Sequence, residues 1–221
     1  MSYSSFEKNI EDMGLLAKFV YAQNFSQLEK NLPNTYKVEY FNSNYSSGFA
    51  GALLRDKNSG NYIIAFRGTD ELVDSLSWIG ENTPQYQDAK NFVFDMIIKY
   101  GIDKSNLTIT GHSLGGILTA QIASELHLKG YAYNPFGANL LSYKRYKKYA
   151  NVINDWANKN IYTISYQDEG LINGDILSNL ITNLIGSHLG KFIPILGKNV
   201  GLDGHDIDAL NNAIKEHKDI I

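Results

Sequence analysis

The run Leu107-Thr108-Ile109-Thr110-Gly111-His112-Ser113-Leu114-Gly115-Gly116 constrains this chain more than any other stretch. Residues 107–110 alternate bulky and hydroxylated side chains, the pattern of a short buried strand. Gly-x-Ser-x-Gly follows, and Ile117 to His127 reads as a helix with Ile117, Leu118, Ile122 and Leu126 on one side. Strand, tight turn and helix together lift a serine hydroxyl above a sheet on a strained turn. Glycines two positions before and after the serine let strand and helix approach closely. The first N–H groups of the new helix lack intrahelical acceptors, so that of Leu114 is placed to meet a developing oxyanion. The five-residue pattern alone recurs by chance in loops rich in glycine and serine. The flanking strand and helix are what make Ser113 a candidate nucleophile.

Composition narrows what such a turn can serve. With 221 residues, the chain is expected to form one domain over 1–221 with a sizeable core. Its 43% apolar and 12% aromatic content marks it as globular rather than disordered. Twenty basic against 23 acidic residues leave a net charge of −3, which argues against a nucleic-acid partner. No basic run suits an anionic membrane. The absence of cysteine excludes disulfides, thiolate metal sites and a cysteine nucleophile, and is compatible with a reducing cytosol. The first residues lack a basic stretch followed by an apolar core, so no classical signal peptide is expected. No stretch approaches the roughly 20 apolar residues of a membrane span. The sequence therefore reads as cytoplasmic, and is compatible with export by a dedicated secretion system.

Along the chain, Phe6 to Asn24 carries Ile10, Met13, Leu16, Ala17 and Val20 at helical spacing, predicting a helix over the sheet edge. Asn31 to Asn34 is a break. Three strands are predicted at 36–41, 49–54 and 62–66, the last two joined by the turn-forming 56–61. Glu71 to Tyr86 is the least regular part, either a short amphipathic cover or ordinary core. Gln85 to Tyr100 predicts a helix closed by Gly101. Further strands are expected at 130–133, 161–166 and 191–196, with helices at 140–158 and 207–217. Strands alternating with helices after residue 60 imply an α/β fold, a mainly parallel central sheet flanked by helices, with antiparallel N-terminal strands.

Ala-Phe-Arg-Gly-Thr-Asp at 65–70 and Gly-His-Ser-Leu-Gly-Gly at 111–116 stand about 45 residues apart, with one helix between. In this order and spacing the chain resembles the fungal-type (class 3) lipases and their bacterial lipase and phospholipase relatives. The resemblance covers residues 35 to 210. It implies an α/β-hydrolase fold and hydrolysis of acyl esters of lipids, without cofactor or metal. It also implies an oxyanion hole from Thr69, which follows the Arg-Gly pair, and from Leu114. Fungal members carry a helical lid and structural disulfides; this chain has no cysteine and only the short 71–86 segment.

In this fold the acid and the base follow the nucleophile in that order. His112 adjoins Ser113 and leaves the turn in another direction, His127 ends the helix too far away, and His217 lies in a charged helix. His188 and His205 remain. His205, in the glycine-flanked Gly201-Leu202-Asp203-Gly204-His205-Asp206, is preferred as base. Asp168 directly follows the strand at 161–166, which is good placement for the acid. Asp175, in Gly174-Asp175-Ile176-Leu177-Ser178, resembles the family's acid motif and is preferred, with Asp168 the alternative. The expected activity is a serine carboxylic ester hydrolase of the lipase or phospholipase A type, with a lipid acyl ester as substrate and peripheral contact with a membrane. A thioesterase or small-ester esterase on the same scaffold, and a binding module that has lost catalysis, are the alternatives.

Overall fold

The computed structural model describes residues 5–43, 45–68, 83–135, 150–168, 189–197 and 205–216, with backbone alone at 150–154, 167–168 and 196–197. Seven strands form one sheet in sequential order: β1 (Tyr36–Asn42), β2 (Gly51–Asp56), β3 (Tyr62–Phe66), β4 (Leu107–His112), β5 (Lys129–Tyr133), β6 (Ile161–Asp168) and β7 (Lys191–Gly197). The pairs β1–β2 and β2–β3 are antiparallel, and every later pair is parallel. This is the α/β arrangement expected from the sequence. The break in pattern falls at β3, where the Asp56–Asn61 hairpin gives way to helical crossovers.

Helices cover both faces. On one lie α1 (Ser5–Phe19) and α6 (Ile207–Glu216), packed on Val38, Ile63, Ala65, Tyr131, Tyr133 and Ile164. On the other lie α3 (Pro84–Tyr100), α4 (Leu114–Leu126) and α5 (Ala150–Asn160), with a core built from Ile64, Phe66, Ile109 and Ala132 of the strands and Phe92, Ile117 and Ile122 of the helices. Ile63 and Ala65 point one way and Ile64 and Phe66 the other, as the two-residue period of a strand buried on both faces requires. Near the first edge, α2 (Phe25–Asn31) starts at Asn24, whose side chain accepts from the Gln27 N–H at 3.0 Å.

Three expectations change. The first helix does not sit over the sheet edge. Met13 O of α1 accepts from Thr110 Oγ1 of the central strand β4 at 3.1 Å, and Ile10 O accepts from Tyr133 Oη of β5 at 2.5 Å. That helix also stops at Phe19 rather than Asn24, and α2 was not foreseen. The elbow helix is not one-sided: of its residues only Glu125 is not buried, because helices cover the side that does not meet the sheet. Glu125 itself accepts from Tyr86 Oη and Lys90 Nζ of α3. The helix expected at 140–158 is described only from Ala150 to Asn160, its first part lying outside the described residues; α3 ends at Gly101, which takes the left-handed conformation (φ 61°) suited to glycine.

Candidate active site

The C-terminal ends of the parallel strands, where this fold places its sites, carry the candidate nucleophile. Strand β4 ends at His112, and Ser113 occupies φ 55°, ψ −122° before α4 begins at Leu114. For a residue with a side chain this is a strained conformation, costing about 1–3 kcal/mol. It persists because the surroundings hold it: the Ser113 N–H donates to Tyr133 O at 2.9 Å, and its carbonyl accepts from the Ile117 N–H at 3.1 Å. The glycines make the turn sterically feasible. A Cβ on Gly111 would stand 2.4 Å from Gly115 O, and one on Gly115 would stand 2.4 Å from Phe66 O. No side chain fits either place, so strand, helix and the end of β3 meet backbone to backbone.

His205 reaches this turn from the opposite end of the sequence, directly before Asp206, which caps α6. The Asp206 carboxylate accepts from the N–H groups of Asp208 (2.7 Å) and Ala209 (3.0 Å). The imidazole Nε2 of His205 lies 2.9 Å from Ser113 Oγ, with both side chains buried. In the neutral tautomer with Nε2 unprotonated, Ser113 O–H donates to His205. That is the pairing a nucleophile and its general base need.

His112 supports this pair through the backbone of His205. Its ring is buried beside His205 (centroids 5.2 Å apart), and burial, followed by the nearby His205, lowers its pKa to about 3. It is therefore neutral at pH 7. A carbonyl can only accept, so the 2.7 Å contact between His112 Nε2 and His205 O puts the proton on Nε2. The unprotonated Nδ1 then accepts from Tyr21 Oη at 2.9 Å. Asn134 grips the same His205 carbonyl with Nδ2 at 3.2 Å, while its Oδ1 accepts from the Tyr166 N–H at 3.0 Å. That second bond decides which end of the amide is nitrogen. Asn134 follows β5 with φ 41°, a left-handed value that asparagine tolerates better than most residues.

Of the residues proposed from sequence, Ser113 and His205 are thus brought together. Leu114 is buried as the first residue of α4, where its N–H has no intrahelical acceptor. Thr69, Asp175 and His188 lie outside the described residues, as does the 69–82 part of the segment read as a cover. Asp168 is the last residue of β6, opposite Gly197 of β7, and only its backbone is described. His127 ends α4 beside Trp156 (centroids 4.9 Å), away from the turn as expected. Sequence reading missed Tyr21 and Asn134 and set His112 aside. Asn134 had a local signal, an asparagine between a strand and Pro135; Tyr21 had none. Among the described residues no cluster of His, Cys, Asp or Glu could hold a metal ion.

Similar folds occur in solved lipase structures. The mono- and diacylglycerol lipase of Aspergillus oryzae matches with a TM-score of 0.63 at 17% identity, over 88% of this chain and 81% of that one. Lipase II of Rhizopus niveus matches at 0.61 and 14% identity over 88% and 82%, and a Yarrowia lipolytica lipase at 0.59 and 16% over 87% and 80%. At such identities the likeness speaks for the fold, an α/β-hydrolase fold. No curated protein matches by sequence. The profile of the phospholipase-like family described as the Tle-like phospholipase domain matches residues 13–215. That span takes in the elbow, every strand of the sheet and all of α6 but Glu216. The chain belongs to this phospholipase-like family and is a carboxylic ester hydrolase of the lipase and phospholipase class.

Proposed function

We propose that the chain acts as one catalytic unit that hydrolyses acyl esters of membrane lipids, phospholipids first, through an acyl-enzyme on Ser113. The observation that carries this reading is the 2.9 Å contact between Ser113 Oγ and His205 Nε2, made on a strained turn across 92 positions of sequence. His205 takes the serine proton as Oγ attacks the ester carbonyl. The tetrahedral oxyanion forms against the Leu114 N–H and the N–H and hydroxyl of Thr69. Gly68 supports the part given to Thr69: a Cβ there would lie 3.2 Å from Ser113 Cβ, so the residue before Thr69 packs against the serine. The imidazolium then protonates the leaving alcohol, and water, deprotonated by the same histidine, releases the fatty acid. Asp175 is assigned as the carboxylate that orients His205, on its local pattern. Asp168 is the alternative, because its backbone ends β6 on the side of the sheet where Ser113 and His205 stand.

Lipid as substrate implies peripheral contact with a bilayer. No helix among the described residues is long and apolar enough to cross one. The lack of cysteine is compatible with a cytoplasmic location, and export by a dedicated secretion system is the alternative. The test is product analysis by mass spectrometry after incubation with mixed phospholipid and triglyceride vesicles. Wild type should release fatty acid and lysophospholipid, and Ser113→Ala should lose at least about 10³-fold in turnover while keeping its fold. Cleavage of short nitrophenyl esters or thioesters with no lipid product would favour the small-ester or thioesterase reading instead.

A further inference from the structure

We infer that Tyr21 and His112 form a positioning relay that holds the backbone of His205 in place for the serine. The inference rests on the reading of Ser113 and His205 as nucleophile and base. Three contacts connect the parts: Tyr21 Oη to His112 Nδ1 (2.9 Å), His112 Nε2 to His205 O (2.7 Å), and His205 Nε2 to Ser113 Oγ (2.9 Å). Each constrains the next. His205 O cannot donate, so the contact from His112 holds it only while His112 carries its proton on Nε2. An imidazole isolated from charge exchanges readily between its two neutral tautomers, and the tautomer is set by the partner at the other nitrogen. Tyr21 supplies that partner: its hydroxyl, donated to Nδ1, stabilises the form with Nδ1 bare and so reinforces the preference set by the carbonyl at Nε2. In the other tautomer the Nε2 lone pair would face the lone pairs of the His205 carbonyl, and the contact would turn repulsive.

The surroundings favour such an assignment. Both ring nitrogens of buried His112 are engaged, Nε2 by His205 O and Nδ1 by Tyr21 Oη, so it does not compete with His205 for the serine proton. Tyr21 follows α1, which is tied to the centre of the sheet through Ile10 O and Met13 O, and to α6 through Asn211 Nδ2 donating to Gly14 O at 3.1 Å. The helix that delivers the tyrosine is thus tied to the helix that follows His205. Space at the hydroxyl is also reserved: a Cβ on Gly68 would come within 2.3 Å of Tyr21 Oη. Asn134 is a second grip on the same carbonyl and is not sensitive to a tautomer.

The relay is tested with the full chain on a soluble acyl ester, alongside nitrogen-15 NMR of the histidine rings. Tyr21→Phe should lower kcat by about tenfold to 10²-fold with KM little changed. It should also move His112 away from the Nε2-protonated state, which a general loss of packing would not do. His112→Gln supplies an amide N–H toward the carbonyl that cannot tautomerise, so it should retain much of the activity. In that background Tyr21→Phe should cost little. Full activity in Tyr21→Phe, an unchanged His112 tautomer, or an equal loss in both backgrounds would overturn the relay. Should His112→Gln fail to fold, the ring spectrum and kcat of Tyr21→Phe alone decide. Undiminished turnover in Ser113→Ala would remove the catalytic reading instead, and would leave the tautomer result standing.

Discussion

The two faces of the sheet are held by different chemistry. On the α3–α4–α5 side, contact is mostly apolar: Ile109, Ile117, Ile122, Phe92 and Phe66 interlock around an elbow helix buried almost all round. On the α1–α6 side the apolar cluster is threaded by side chains that donate to helix carbonyls, Tyr133 to Ile10, Thr110 to Met13 and Asn211 to Gly14. Apolar packing is non-directional and sets stability, whereas hydrogen bonds fix where a helix lies along a sheet. The site uses both. Ser113 is held by the first face, through a turn with no room for a side chain at Gly111 or Gly115. His205 is held by the second, through His112, Asn134 and the Asp206 cap.

If that division is right, substitutions should separate into those that spare the fold and those that spare the chemistry. The largest expected effect is His205→Ala, which removes the proposed base. Turnover should fall by about 10³-fold or more, with the urea midpoint nearly unchanged. A modest loss would show that another group takes the serine proton. Next is Ile122→Ala, a fully buried residue on the apolar face. It should cost about 2–5 kcal/mol in urea unfolding while the folded protein keeps most of its kcat. If it damaged kcat as severely as stability, the two faces would not be separable in this way.

The last effect is acid dependence, comparable at most with the lower end of the Ile122→Ala range. In the folded chain His112 is held near a pKa of about 3, against 6.5 unfolded, by burial and the neighbouring His205. The unfolded chain therefore binds the extra proton first. The stability this contributes is complete above pH 6.5 and is lost as pH falls toward 3, by at most about 1.4 kcal/mol per pH unit. Urea midpoints at pH 7 and 4.5 should fall further apart in wild type than in His112→Gln. Equal slopes would mean that His112 is not held neutral by the fold.

The division also explains which parts could be read from the sequence. The elbow was readable because glycine spacing, a strand pattern and a helix pattern all fall between Leu107 and His127. The antiparallel-to-parallel switch was readable because the hairpin loop before β3 and the crossover helices after it have local signatures. The place of α1 was not. Its apolar stripe reports that it packs, but only Thr110, Tyr133 and Asn211 decide where, and they lie 97, 123 and 197 positions from their acceptors. The elbow helix reads as one-sided from Ile117, Leu118, Ile122 and Leu126, yet its polar Thr119, Gln121 and Ser124 are buried too. Two of them instead turn back to carbonyls of their own helix, Thr119 to Gly115 and Ser124 to Gln121. The roles of Tyr21 and His112 rest on pairs 91 and 93 positions apart, beyond any local pattern.

The central claim is that Ser113, activated by His205, is the nucleophile. The most direct measurement is mass spectrometry of the intact chain and its peptides after exposure to an alkyl fluorophosphonate. The account predicts a single phosphonyl adduct on the peptide containing Ser113. It should form rapidly in wild type, be absent in Ser113→Ala and be strongly slowed in His205→Ala. An unlabelled wild-type chain that still hydrolyses lipid, or an adduct on another residue, would contradict it.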